Sequence, residues 1–146
     1  MKLCILGGGL TGLSLAKSLV KKGLSIDIFL NKKKSDFNRS RTIGISNDNL
    51  IYFNKEILDI KKSFWDIKKI EIYSDNLRNE KILNFENNNK TVFAIIRNYQ
   101  LQSKLLKSLK KDKLCKFKQG FDYNLSNLKK YKLIINCEND NYFTKK

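Results

Sequence analysis

Residues 2–31 read KLCILGGGLTGLSLAKSLVKKGLSIDIFLN, and they divide into strand, glycine turn, helix and strand, the order of a mononucleotide-binding βαβ unit. Leu3, Cys4, Ile5 and Leu6 make the short apolar run that a strand buried on both faces requires. Gly7, Gly9 and Gly12 follow at G-x-G-x-x-G spacing. In that arrangement the first glycine turns the chain, the second lets a pyrophosphate approach the backbone and the third lets the helix pack close to the sheet. The helix opens at Leu10, carries Leu13, Ala16, Leu19 and Val20 on one face, and closes at Gly23 behind Lys21 and Lys22. Its first turn, at Leu10, Thr11 and Gly12, directs free N–H groups and the positive end of the dipole toward phosphates. The second strand runs from Ser25 to Leu30. Sites of this type usually end that strand on Asp or Glu, which accepts the ribose hydroxyls; here Leu30 stands in that place, and Asn31 follows with an uncharged acceptor.

A chain of 146 residues is one domain's worth, long enough for a proper core and too short for a nucleotide domain plus a substrate domain. The net charge of +16 would ordinarily suggest nucleic acid. The 30 basic residues include four arginines, Arg39, Arg41, Arg78 and Arg97, and no arginine stripe interleaved with aromatics occurs. The lysines therefore read as a solvated surface, and nucleic acid is not expected as a partner. Cys4, Cys115 and Cys137 lie far apart inside apolar runs and read as buried reduced thiols. The absence of His excludes His-dependent triads and His metal sites, and no zinc spacing occurs, so no metal is expected. The first strand starts at once, without a signal peptide, and no apolar run approaches the ~18 residues of a membrane span. A cytoplasmic protein is expected, with peripheral attachment at the inner membrane face left open.

Beyond the opening unit, RTIGIS (41–46) alternates as a short strand, and Ser46 is placed to cap a helix over 47–57. Phe64 and Trp65 read as core. DIKKIEIYSD, KILNFE and TVFAII, separated by turns, predict an antiparallel meander. Asn98 is placed to cap a helix with Leu101, Leu105, Leu106 and Leu109 on one face. LCKFKQGF and LIINC follow as strands.

This order resembles the N-terminal part of class A flavoprotein monooxygenases, most closely the ubiquinone-biosynthesis hydroxylases. The matching segments are CILGGGLTGLSLAKSL, SRTIGISNDNL, WDIKKIEIYSD and VFAIIRNYQLQSKLL, which together span nearly the whole chain. The resemblance implies an α/β fold: a three-layer Rossmann-like FAD/NAD(P)-binding domain with a βαβ start and an inserted antiparallel meander. Residues 1–146 would form a single FAD-binding domain, its N-terminal part only, incomplete relative to the family and with the substrate domain absent. By resemblance, Gly7, Gly9, Leu10, Thr11 and Gly12 hold the FAD pyrophosphate, Asn31 stands at the ribose position, and Arg41 and Arg97 contact the flavin nucleotide. The implied co-substrates are NAD(P)H, oxygen and a phenolic or polyprenyl-phenol substrate. In that chemistry the flavin reacts and the protein positions it, so no catalytic residue is assigned to this segment. Where the family carries an A-D-G triplet after its last strand here, this chain has Cys137, Glu138 and Asn139.

Three functions remain open to the sequence. The first is the FAD-binding portion of an aromatic-ring hydroxylase. The second is a truncated or split FAD-domain remnant that binds a nucleotide, or packs on a missing C-terminal half or partner chain, without activity of its own. The third is an NAD-dependent Rossmann enzyme, disfavoured because a meander follows the second strand where a doubly wound fold would place another βαβ unit.

Overall fold

The structure is a computed structural model that describes residues 2–30, 39–61, 63–75, 78, 80–122, 124, 126, 129–139 and 144. Four strands, β1 (Lys2–Leu6), β2 (Ser25–Leu30), β8 (Cys115–Gln119) and β9 (Leu133–Asn136), form a parallel sheet in the order β8-β2-β1-β9. Helices α1 (Leu10–Lys21) and α3 (Asn98–Lys110) lie together on one of its faces. The apolar run of β1 is buried throughout, as a central parallel strand must be. On the helix side, Leu3, Ile5, Ile26 and Ile28 meet Leu13, Ala16 and Val20 of α1 and Leu101, Leu105 and Leu109 of α3. Helix α1 ends as the sequence predicts: Gly23, at φ +79°, donates to Val20 O and Leu24 donates to Leu19 O, a Schellman closure.

The other face of the sheet holds a buried charge. Asp27 is 1% exposed, and its Oδ2 receives Lys118 Nζ at 2.6 Å, Tyr131 OH at 2.7 Å and Lys2 Nζ at 2.9 Å. Phe121 packs edge-on against Phe29 at 4.8 Å, with Tyr131 beyond it, so the segment after β8 covers this face. Burial alone would raise the Asp27 pKa, but the hydrogen bonds from Lys118, Lys2 and Tyr131 outweigh it and hold the carboxyl below its ordinary 3.8.

The segment between β2 and β8 is antiparallel, as expected, and divides between two sheets. β7 (Phe93–Arg97) lies between β3 (Thr42–Ser46) and β4 (Trp65–Ile67), while β5 (Lys69–Tyr73) and β6 (Lys81–Glu86) form a separate two-stranded ribbon. Helix α2 (Asn47–Tyr52) continues as a wider π-type turn (Phe53–Ile57), together filling the predicted 47–57 span.

Three local expectations are corrected. Trp65 is 50% exposed, because it sits opposite Ile95 and shares that residue's outward face, whereas the buried Ala94 and Ile96 point inward; Phe64 does pack on the core. Asn98 is the first residue of α3, with Arg97 as its cap; the Asn98 N–H is taken by Arg41 O at 3.0 Å, which continues the β3–β7 ladder. Ser46 caps α2 in position, without a side-chain bond. Cys4 and Cys115 are buried, but Cys137 is half-buried and lies just beyond β9.

Candidate nucleotide-binding site

The strand order sets the place of the site. The chain leaves β1 for β2 on one side and arrives at β9 on the other, so the carboxyl ends of β1 and β9 flank a topological switch point, where open α/β sheets bind ligands. One lip is the glycine turn. Gly7 takes φ +113° and donates from its N–H to Phe29 O at 2.9 Å, a conformation that residues with a β-carbon rarely adopt. Gly12 packs against the Gly7 carbonyl so closely that a β-carbon there would overlap it. Gly9 differs from both. Its backbone is extended and available to any residue, and a β-carbon on it would meet nothing within 4 Å. Gly9 thus borders open space, as a close backbone approach by a ligand requires.

That space is lined by donors. The first intrahelical bond of α1 runs from Leu13 N to Gly9 O at 3.0 Å, so the N–H groups of Leu10, Thr11 and Gly12 have no acceptor within the helix. No acidic residue occupies the first turn of α1. These groups, the open approach at Gly9 and the helix dipole fit a pyrophosphate.

The other lip is the end of β9. A β-carbon on Gly7 would lie 2.9 Å from Glu138 Cγ and 3.0 Å from Cys137 O. The Glu138 N–H donates to Asn136 Oδ1 at 3.0 Å, closing the turn with a side chain. Cys137, Glu138 and Asn139 all keep negative φ, so the departure from A-D-G leaves no strained residue at this turn.

At the end of β2, Leu30 lies over the turn: its Cδ2 occupies the position that a side chain on Gly8 would fill. Asn31 lies outside the described residues. Arg41 and Arg97 come together at the start of α3, where Arg97 pairs with Thr42 and Asn98 donates to Arg41 O. Both arginines are exposed, and the Arg97 guanidinium sits 5.4 Å from the centre of the Trp65 ring. Helix α3 is tied to the glycine turn by a residue the sequence reading did not single out: Gln102 Nε2 donates to Gly8 O at 2.7 Å. Gln102 is also a wall of a cavity of about 360 Å³ along α3, to which Arg39, Lys107 and Lys110 contribute. Among the described residues, no group of three or more His, Cys, Asp or Glu side chains could hold a metal ion, and no helix is long and apolar enough to cross a membrane.

No protein-family model and no curated protein matches this chain. Solved structures do match it. p-Nitrophenol 4-monooxygenase PnpA from Pseudomonas putida DLL-E4 matches with a TM-score of 0.65 at 14% identity, over 80% of this chain and 31% of that one. PqsL from Pseudomonas aeruginosa, described as a probable FAD-dependent monooxygenase, matches with a TM-score of 0.66 at 12% identity, over 87% and 36%. HpxO from Klebsiella pneumoniae, in complex with FAD and uric acid, matches with a TM-score of 0.59 at 19% identity, over 80% and 30%. This chain has the fold of the N-terminal, FAD-binding part of FAD-dependent monooxygenases. It spans about a third of the length of the structures it matches.

Proposed function

We propose that this chain is the FAD-binding portion of an FAD-dependent aromatic-ring hydroxylase of the ubiquinone-biosynthesis type, using NAD(P)H and oxygen on a phenolic or polyprenyl-phenol substrate. The observation that carries the reading is the open approach at Gly9, facing the free N–H groups of Leu10, Thr11 and Gly12 at the switch point of a sheet shared with flavin monooxygenases. Those groups hold the pyrophosphate. Arg41 and Arg97, side by side at the start of α3, supply positive charge to the nucleotide, and Gln102 fixes the turn against α3. When bound, the flavin supplies oxygen activation; this chain's part is to bind and orient it. The chain has no acceptor at Leu30 for the ribose hydroxyls, so the adenosine end is held less firmly than the phosphates.

A second reading, a nucleotide- or partner-binding module without activity of its own, is favoured by the β5–β6 ribbon. Its face of Ile72, Leu83 and Phe85 is 42–48% exposed, as a surface that packs on a missing half or partner chain would be. The test is purification with added FAD, read by flavin absorbance and by NAD(P)H oxidation with candidate phenols. Bound flavin without coupled product formation from the isolated chain supports a binding portion. Stoichiometric flavin with product overturns the need for a second half, and no flavin binding overturns the FAD assignment.

A further inference from the structure

The cavity along α3 and the apolar end of β2 belong to one arrangement. Leu30 covers Gly8 from one side, and Gln102, bonded to Gly8 O, forms the cavity wall on the other. The volume of about 360 Å³ falls in the range of small-molecule sites. Its charged lining is wholly cationic among the described residues: Arg39, Lys107 and Lys110, with Ser103 adding a hydroxyl and Tyr99 a ring. A free ribose diol is recognised by a carboxylate at the end of the second strand, while a phosphorylated ribose is recognised by nearby cations and is repelled by that carboxylate. This chain lacks the carboxylate and has the cations.

We infer that the groove between Arg39 and α3 binds a phosphomonoester on the adenosine ribose, so that the site selects a 2′-phosphorylated adenine nucleotide, of the NADP(H) kind, over one with a free diol. The inference rests on the nucleotide-binding reading above and adds to it the choice of adenosine. The phosphates at the 5′ end lie on the α1 N-terminus, and the ribose phosphate reaches Lys107 and Lys110, two residues on adjacent turns of α3 that share the groove. Leu30 gives the sugar an apolar floor in place of an acceptor.

The test is titration of the whole chain with ADP, 2′,5′-ADP and 3′,5′-ADP, with competition by inorganic phosphate. The expected result is about tenfold tighter binding of 2′,5′-ADP than of ADP, a gap that narrows as salt rises. In Lys107→Gln/Lys110→Gln the ratio should fall to about one with ADP affinity retained, and Leu30→Glu should invert the preference toward ADP. Circular dichroism establishes that each variant is folded. Equal binding of ADP and 2′,5′-ADP overturns this inference and leaves the nucleotide site standing. A preference for 3′,5′-ADP overturns the 2′ assignment, and a ratio unchanged in the lysine variant overturns the groove. Failure of every nucleotide to bind overturns both readings together.

Discussion

Gln102 of α3 donates from Nε2 to the carbonyl oxygen of Gly8 at 2.7 Å, joining the helix that leads into β8 to a turn 94 residues earlier. The bond is partly buried, so its loss leaves a carbonyl without that partner where water enters poorly. Gln102→Leu should lower unfolding free energy by about 1 kcal/mol and weaken nucleotide binding several-fold, because the turn loses the contact that orients it. Denaturant unfolding alongside nucleotide titration checks both effects. Unchanged affinity in a stably folded variant would show that the turn is held by β1 and α1 alone.

The three fingerprint glycines should respond differently to a methyl group. Gly12→Ala forces a β-carbon into the Gly7 carbonyl, which is backbone and cannot swing away, and should cost about 1–3 kcal/mol. Gly7→Ala requires φ +113° of an L-residue and displaces Glu138, so it should be at least as damaging. Gly9→Val should stay within about 1 kcal/mol of the parent, the difference being a poorer N-cap, and should lose nucleotide affinity because the side chain enters the open approach. Thermal unfolding and nucleotide titration of the three variants separate fold from binding.

What could be read from the sequence, and what could not, follows from the range of the interactions. The βαβ unit was legible to the residue at Leu10, Leu30 and Gly23 because each boundary is set locally, by a turn, a helical stripe or a left-handed cap. The split of the antiparallel segment was not legible: alternation marks Ile70, Ile72 and Ile95 as strand residues without naming the neighbouring strand. Trp65 was misplaced for the same reason, since its outward direction depends on pairing with Ile95. Within the site, the glycines were legible from spacing. Gln102 was not, because a glutamine beside a leucine stripe looks like any solvated helix residue until α3 packs against α1. Asp27 did leave a signal, a charge inside the apolar strand SIDIFL, but two of its partners lie 91 and 104 residues away in sequence.

The buried Asp27 makes a prediction about acid. Its folded pKa lies below its ordinary 3.8, so the cluster contributes stability that is fully present above about pH 4 and is lost as pH falls through the folded value. Asp27→Asn removes the anion between Lys2 and Lys118. It should cost about 2 kcal/mol at neutral pH, moderated because both lysines reach solvent, and should flatten the acid limb of the stability curve. Urea midpoints measured from neutral pH down to about pH 2 test it, and parallel acid limbs for parent and variant would overturn it.

The cysteines should react in order of access. Burial pushes Cys4 up to about 12 and Cys115 up to about 11, so both remain protonated and shielded in the native protein. Cys137 is also raised by burial but is partly accessible beside the Gly7 turn. Alkylation under native conditions, followed by mass spectrometry, should modify Cys137 first, and a nucleotide in the switch-point crevice should slow that reaction. Faster labelling of Cys4 would mean that the sheet opens before the crevice is reached.

The β5–β6 ribbon sets the behaviour of the chain on its own. Pairing places Ile70 opposite Phe85 and Ile72 opposite Leu83 on one face, while Lys69 pairs with Glu86 and Glu71 with Asn84 on the other. The polar face is satisfied within the ribbon: Glu71 receives Lys69 at 3.0 Å, the Tyr73 hydroxyl at 3.1 Å, and Lys81. The apolar face is different, with Leu83 and Phe85 48% and 47% exposed on a two-stranded unit that has no third strand. Ribbons of that size are marginal in water without a covering layer, so the isolated chain should associate through this face as concentration rises. Leu83→Lys/Phe85→Lys should shift it toward monomer. The parallel sheet should keep its stability, because neither residue belongs to the main core. Sedimentation equilibrium over a concentration series, with thermal unfolding of the double variant, measures both effects; a parent chain that stays monomeric throughout would show that the ribbon needs no cover.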